Sequence, residues 1–301
     1  MSKKYITAIL FPLILLGSIA SYAESSGSLP LLRIAPDARS VSLGESGIAS
    51  AKGALAAFHN PALLPFSERS QAAFAYSDWL LDLSIQSGAV LFDYKRFSVA
   101  LSFNVFNTPN LERRTVPADE PIGTFDAHDL TFGLSAAFPI WRNLTTGLTV
   151  RYIFQQIYVE EAAGFCGDAG IAWRIQPLDI TLAAVVKNVG EMQDLQGEAS
   201  PLPLIAGMGI QGTVLHKDDF TLGATADLHT LRDSDARLHG GVELDWKKLL
   251  TLRGGYQTGS ELRSFSGGVG LSWKVFAFDY AYQPLAEDFN ESHRFTLIFN
   301  F

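Results

Sequence analysis

Histidine and cysteine are the residue types in this chain that most readily ligate a metal ion. The sequence holds one cysteine, Cys166, and six histidines, at positions 59, 128, 216, 229, 239 and 293. None of them forms an H-x-x-x-H pair or a Cys/His cluster, the spacings that place two ligands beside one ion. The sequence therefore predicts no metal site, and Cys166 is interpreted as a small apolar residue on a strand.

Serine could act as a nucleophile if a base stood beside it. Ser292 and His293 are adjacent, but adjacent residues of a strand point to opposite faces and cannot act together. The chain contains no G-x-S-x-G turn and no phosphate-binding loop. These observations favour a protein that is not an enzyme and has no cofactor.

Three aspartates are candidates for a role inside the protein. Asp168, Asp227 and Asp279 occupy the small-residue positions of segments in which large and small side chains alternate. A charge on the opposite, lipid-facing side would cost several kcal/mol near the membrane midplane. We expect the three carboxylates to face the interior, where they hold another part of the chain, tune passage, or add polarity to the wall.

Alternation of large and small side chains recurs from residue 69 to residue 301. In residues 97–105, for example, Phe, Val, Leu, Phe and Val alternate with Ser, Ala, Ser and Asn. A period of two residues marks strands with two unlike faces. We count about fourteen such segments, with longer polar inserts at 107–127, 189–202, 229–237 and 283–292.

The composition of the small-residue face indicates the environment of these strands. A soluble barrel or sandwich would present Lys, Glu, Arg and Asp to solvent, whereas here the second face is mostly Gly, Ser, Thr and Ala. Such residues suit the lumen wall of a barrel whose large side chains face lipid. The sequence predicts an all-β fold, a transmembrane antiparallel β-barrel of about fourteen strands over residues 69–301.

Composition and the first residues indicate export. Residues 1–23 combine Lys3 and Lys4 with an apolar run and with small residues at positions 21 and 23, as in a signal peptide that is cleaved after Ala23. Only 18% of residues are charged, against about 25% in soluble domains. The net charge of −8 argues against nucleic acid as a partner. We expect the protein to lie in the outer membrane of a Gram-negative-type bacterium, with the lipid of that membrane as one partner.

Residues 24–68 lack the period of two and hold too few large apolar side chains to fold alone. A lumen lined by small side chains needs filling, so we expect this segment to be a plug inside the barrel. Asn60-Pro61-Ala62 should form a turn there. Arg39 should pair with a lumen aspartate such as Asp227 or Asp279, because a buried charge needs a partner.

The last alternating segment places four large apolar side chains on one face: Phe295, Leu297, Phe299 and Phe301. We expect this strand to pair with the first strand, with Phe301 at the membrane interface. The pattern also resembles the C-terminal signal that the barrel-assembly machinery recognises in outer-membrane barrels, so that machinery is an expected partner.

Two motifs carry a family resemblance. Arg39-Ser-Val-Ser-Leu43-Gly44 is followed by Asn60-Pro61-Ala62-Leu63-Leu64. These are similar to R-x-x-x-(M/L)-G-G and N-P-A-x-L of the PorV/PorQ family, whose fold is like that of the FadL transporters. The stretch FHNPALL, with the later IGTF, resembles PorQ more than PorV. The second glycine of the first motif is replaced by Glu45, with Gly47 two places later.

The resemblance implies a fourteen-stranded barrel with an N-terminal hatch. It also implies a part in type IX secretion, in which the barrel binds a secretion protein or cargo. The alternative is a FadL-like transporter of small hydrophobic compounds, and a purely structural barrel is a third possibility. Genes for a type IX translocon beside this one would favour the first hypothesis over the second.

Overall fold

A computed structural model describes residues 29–79, 83–94, 96–114, 121–195, 197, 200–231, 236–259, 263–285 and 291–301. The predicted signal peptide, residues 1–23, and the first part of the expected plug, residues 24–28, lie outside the described residues. No helix in the described part of the chain is long and apolar enough to cross a membrane.

Fourteen antiparallel strands close into a barrel, which confirms the predicted fold class. The strands are β1 (Gln71–Asp78), β2 (Ser84–Asp93), β3 (Ser98–Arg113), β4 (Gly123–Trp141), β5 (Leu144–Ile157), β6 (Glu160–Ile175), β7 (Ile180–Met192), β8 (Ile205–Lys217), β9 (Phe220–Leu231), β10 (Arg237–Trp246), β11 (Leu250–Gln257), β12 (Phe265–Trp273), β13 (Phe276–Gln283) and β14 (Ser292–Asn300).

Each strand pairs with its neighbours in sequence, and β1 pairs with β14 from Gln71↔Asn300 to Asp78↔His293. Closure leaves no sheet edge, which is what lets a sheet satisfy its backbone groups in hydrocarbon. The two faces differ as the alternation predicts. On β4, for instance, Phe132 is 53% exposed on the outside while Thr131 is buried.

The longest predicted insert, residues 107–127, is mostly strand. β3 continues to Arg113 and β4 begins at Gly123, and they remain paired after a register shift between Thr108 and Leu111. The prediction of a long loop was wrong because it relied on polarity. A strand with a backbone partner continues outside the membrane without an apolar face.

The connections differ in length at the two ends of the barrel. The turns β2–β3, β4–β5, β8–β9, β10–β11 and β12–β13 span a few residues, whereas β3–β4, β7–β8 and β13–β14 have longer connections. Bacterial barrels have short periplasmic turns and longer extracellular loops. The end with the short turns, where β1 begins, is therefore the periplasmic end, and the other is the extracellular end.

Residues 29–66, called the plug below, form short helices that contact the inner wall. They comprise 3₁₀ helices at Pro30–Leu32, Gly53–Leu55 and Pro61–Phe66, with α1 (Ala38–Ser42) and α2 (Ala56–His59). Every residue from position 35 to 64 is buried except Lys52. The apolar cluster between the plug and the wall contains many alanines, which permit close approach of the two, together with larger plug residues such as Leu55, Phe58 and Leu63.

Candidate functional site: a plug held in the lumen by buried charges

Asp227 on β9 holds the plug through its backbone. The N–H groups of Gly47 and Ile48 donate to Asp227 Oδ2 over 2.7 and 2.8 Å. The carboxylate is 1% exposed, so both hydrogen bonds are charge-assisted and shielded from water. Asp227 points inward, as expected. Its carboxylate contacts the plug segment that contains Gly47.

Arg39 on α1 does not pair with Asp227 or Asp279, so that expectation was wrong. Its guanidinium donates to the Ser50 carbonyl over 2.6 Å and pairs with Glu243 over 3.0 Å. The expected partners are already engaged. Asp227 accepts the plug amides, and Asp279 on β13 accepts from Arg253 over 2.6 Å.

Glu243 on β10 is the centre of a charge network that joins the plug to the wall. Its carboxylate contacts Arg39 and, over 3.1 Å, Lys52 of the plug, and it accepts from Arg253 Nε of β11 over 3.0 Å. Arg253 continues the network to Asp279. Sequence reasoning missed Glu243 and Arg253, although both share the inward phase of their strands and could have been found from it.

Asp168 on β6 belongs to a second, separate network. It accepts from Arg151 Nη2 over 2.7 Å and from the Asn188 N–H over 2.9 Å. The Asn188 amide in turn donates to the carbonyls of Leu32 and Pro203. Asp168 therefore fixes wall residues that touch the start of the plug. Its own hydrogen bonds to described residues are with Arg151 and Asn188 of the wall.

Asp37, Ser40 and His59 meet in the plug, and sequence reasoning missed this cluster. His59 Nε2 lies 2.6 Å from Asp37 Oδ1 and 3.1 Å from the Ser40 hydroxyl. A catalytic triad uses one ring nitrogen for each partner, whereas here both partners share Nε2. The cluster closes α1 onto α2, and Asp37 also caps α1 by accepting the Ser40 N–H over 2.8 Å.

The charge state of Asp37 follows from these contacts. Burial alone would raise the pKa of the carboxyl. The attraction and hydrogen bond of His59, with the hydrogen bonds from Ser40, outweigh burial and lower the pKa to about 2. Asp37 is therefore ionised at neutral pH.

Asn60-Pro61-Ala62 forms a turn against the wall. Asn60 Oδ1 accepts the Ala62 N–H over 3.0 Å, and Nδ2 donates to the carbonyls of Ile48 and Ala184 over 3.1 and 3.3 Å. Pro61 begins the 3₁₀ helix that follows, where its missing N–H costs nothing. One side chain thus joins two parts of the plug and strand β7.

Glycines of the wall make room for the plug. A Cβ built on Gly147 of β5 would lie 2.5 Å from the Pro61 carbonyl carbon, and one on Gly241 of β10 would lie 2.7 Å from Leu43 Cα. Gly44 of the plug has φ +71°, which favours glycine, and it packs on the backbone of β11. Wall and plug approach here at distances that no larger residue permits.

Gly207, Gly209 and Gly212 have the spacing G-x-G-x-x-G, which in other folds marks a dinucleotide site. Here they lie within strand β8, and Gly207 and Gly209 pack against Ile48 and Ala49 of the plug. No helix follows to bind a pyrophosphate, so the pattern serves close packing.

A cavity of about 290 Å³ lies between the plug and the wall at the extracellular end. Four basic side chains, one carboxylate and three histidines line it, together with apolar residues. The ionisable residues of the lining are Arg33, Lys187, Arg237, Arg263, Glu45, His59, His229 and His239. Within the described chain, no group of three or more His, Cys, Asp or Glu residues is placed to hold a metal ion.

The apolar side chains of β14 point outward. Phe295, Leu297, Phe299 and Phe301 are 40, 53, 40 and 54% exposed on the barrel surface. The Phe301 N–H donates to the Ser70 carbonyl, and its ring packs on Phe299 with a centroid distance of 5.8 Å. These residues form a lipid-facing stripe that ends at the periplasmic rim.

Solved structures show the same fold at low sequence identity. The Ralstonia pickettii toluene transporter TbuX matches with TM-score 0.61 and 14% identity, covering 88% of this chain and 98% of that chain. A Pseudomonas aeruginosa FadL homologue gives 0.56 and 14%, with coverage of 88% and 98%. The Pseudomonas putida toluene transporter TodX gives 0.59 and 11%, with coverage of 93% and 98%.

Comparison with curated proteins finds no match. A family model described as type IX secretion system protein PorV matches residues 22–181, more than half of the chain. The nearer resemblance to PorQ stays a prediction. A closed, plugged, FadL-like barrel together with this match establishes that the chain belongs to the PorV family of outer-membrane β-barrel proteins.

Proposed function

We propose that this barrel is a non-enzymatic accessory of type IX secretion whose extracellular end binds another secretion protein or a secreted cargo. The family model supports the secretion role, since its description names that system. The observation that carries the proposal is the attachment of the plug. Asp227 and the Glu243 network fix the plug to the wall, so the lumen is filled by buried protein.

The arrangement of Ser40, His59 and Asp37 supports the non-enzymatic part of this proposal. Ser40, His59 and Asp37 are the described residues nearest to a nucleophile, base and acid arrangement, yet Ser40 and Asp37 compete for the same nitrogen of His59. All three are buried within the plug. A substrate would have to displace the plug before it reached the Ser40 hydroxyl.

Two further partners belong to the proposal. Outer-membrane lipid would cover the outward apolar face, of which the β14 stripe is one part. The barrel-assembly machinery would recognise β14 through Phe295, Leu297, Phe299 and Phe301. The outward direction and regular spacing of these four side chains support that role.

Transport of small hydrophobic compounds is the second candidate function. The similarity of the fold to that of toluene transporters favours it. Sequence identities of 14 and 11% support a common fold but not a common function. The cavity at the extracellular end argues against it, because four basic side chains line a space that an apolar compound would have to cross.

A deletion strain of the source bacterium distinguishes the two functions. We expect loss of surface attachment or release of type IX cargo, with uptake of radiolabelled toluene unchanged. Restoring the wild-type chain should restore secretion. Normal secretion together with lost toluene uptake would replace the accessory role by the transport role.

A further inference from the structure

The cavity at the extracellular end has an excess of positive charge. Arg33, Lys187, Arg237 and Arg263 line it against one carboxylate, Glu45. Glu45 pairs with Arg263 over 3.1 Å, and Lys187 Nζ donates to the neutral Phe58 carbonyl over 2.7 Å. Among the described residues, no carboxylate remains to neutralise the other two arginines.

Arg33 and Arg237 come from different parts of the molecule. Arg33 lies on the plug, and Arg237 begins β10 on the wall. Neither forms an ion pair with a described residue. Burial, followed by repulsion from Arg237 and Arg263, lowers the pKa of Arg33. Collecting like charges in a partly desolvated space costs free energy that a bound anion would recover.

His239 adds an incomplete hydrogen-bonding group to the same lining. Its side chain is 8% exposed, and Nδ1 has no hydrogen-bond partner among the described residues. The ring packs on His229 with a centroid distance of 4.3 Å, which fixes its orientation. A buried polar atom without a partner is costly, and a ligand that reached it would remove that cost.

Apart from Gln257, the remaining lining is apolar and aromatic. It includes Ile34 and Phe58 of the plug, together with Trp79, Ile205 and Leu231 of the barrel. Small-molecule sites combine such apolar walls with a few polar groups that orient the ligand. A volume of about 290 Å³ admits a small molecule and no folded segment of a partner.

We propose that this cavity binds a small organic anion, whose carboxylate or phosphate is held by Arg33 and Arg237 and whose short apolar body lies against Trp79 and Leu231. The plug and the wall each supply one arginine, so the ligand would also join the two. The proposal goes beyond the secretion role and does not depend on it.

Calorimetry on the full mature protein in detergent tests the proposal with matched probes. Benzoate, benzamide and benzamidine share one ring and differ in charge, and phenyl phosphate distinguishes a phosphate from a carboxylate. We expect saturable binding of benzoate or phenyl phosphate, weakened by added salt. The neutral and cationic probes should not bind.

Arg33→Gln and Arg237→Gln should each weaken anion binding about tenfold, because each removes a charge-assisted contact. Arg142→Gln is the control, since Arg142 lies over Trp141 at the periplasmic end and should leave binding unchanged. Faster migration of unheated samples on a denaturing gel shows that each variant has folded. Three results would overturn the proposal: benzamide binding as tightly as benzoate, no anion binding at millimolar concentration, or wild-type affinity for the anion in both arginine variants.

Discussion

Glu243 is the residue whose loss should affect the plug most. It contacts two plug cations, Arg39 and Lys52, and one wall cation, Arg253, and its own side chain is 15% exposed. Glu243→Gln leaves these cations without their shared charge. We expect plug attachment to weaken by about 3 kcal/mol, the lower end for a broken buried ion pair, because Glu243 keeps some contact with solvent. Single-channel conductance in planar bilayers should rise.

Glu112→Gln is the matched control for this change. Glu112 pairs with Arg114, but their side chains are 55 and 37% exposed, and exposed pairs contribute about 1 kcal/mol or less. Its conductance should equal that of the wild type. If Glu243→Gln also stays closed, the network does not hold the plug.

Asp37 gives the plug a defined response to acid. The folded-state pKa of about 2 lies below the ordinary value of 3.8, so the stabilisation from this group is present above pH 4 or so. It is lost as pH falls from about 4 to about 2. We expect conductance to rise over this window, and to rise less in Asp37→Asn, which has no charge to lose. An identical acid response in both proteins would remove Asp37 from the mechanism.

The sequence predicted the direction of side chains better than their partners. Alternation placed Asp168, Asp227 and Asp279 inward, because phase along a strand is a local property. The partner of Arg39 depends on which wall position the closed sheet brings opposite α1, and on which carboxylates are already paired. Register across a barrel and competition among charges are not local. The strand phase therefore marks Glu243 as an inward residue but does not identify it as the partner of Arg39.

At the scale of elements, the fit between plug and wall depends on glycine. Gly147→Ala would place Cβ 2.5 Å from the Pro61 carbonyl carbon and 2.6 Å from the Ala62 nitrogen, so plug or strand must move. We expect the 3₁₀ helix of residues 61–66 to lose protection in hydrogen exchange. Gly254→Ala is the control, since nothing lies within 4 Å of its Cβ position. Equal protection in the two variants would show that the contact is dispensable.

Strand β14 offers a test of recognition during assembly. Phe301→Ala removes one interfacial ring, worth about 1.5–3 kcal/mol if fully buried, which a barrel of this size should tolerate. We expect reduced insertion in cells and near-normal stability of refolded protein. Phe276→Ala removes a ring of similar exposure on β13 and should insert normally. Wild-type membrane levels of Phe301→Ala would argue against recognition of β14.

The elements themselves were largely predictable from sequence. Period-two alternation gave fourteen strands because each strand meets lipid on one side and small-residue packing on the other, so the pattern is strict within the membrane. It failed at residues 107–127, where β3 and β4 continue. There we infer that both faces leave the hydrocarbon, so the strands continue through backbone pairing without the strict alternation.

At the scale of the whole molecule, the barrel and the plug are held together by different interactions. The barrel is a closed ladder in which every strand pairs with two others. The plug contributes no strand to that ladder and is attached by side chains such as Asp227, Asn60 and Glu243. The barrel should therefore keep its structure when the plug is absent, whereas we expect the isolated plug to unfold without the wall.

Deleting residues 31–66 tests this division. We expect the unheated protein to migrate faster than the boiled protein on a denaturing gel and to keep a β-rich circular dichroism spectrum, because the strand pairing is intact. Conductance should rise well above that of the wild type, because water replaces the plug and solvates Arg151, Arg253 and the wall carboxylates. A variant that loses the fast-migrating form would show instead that the plug is part of the core on which the barrel closes.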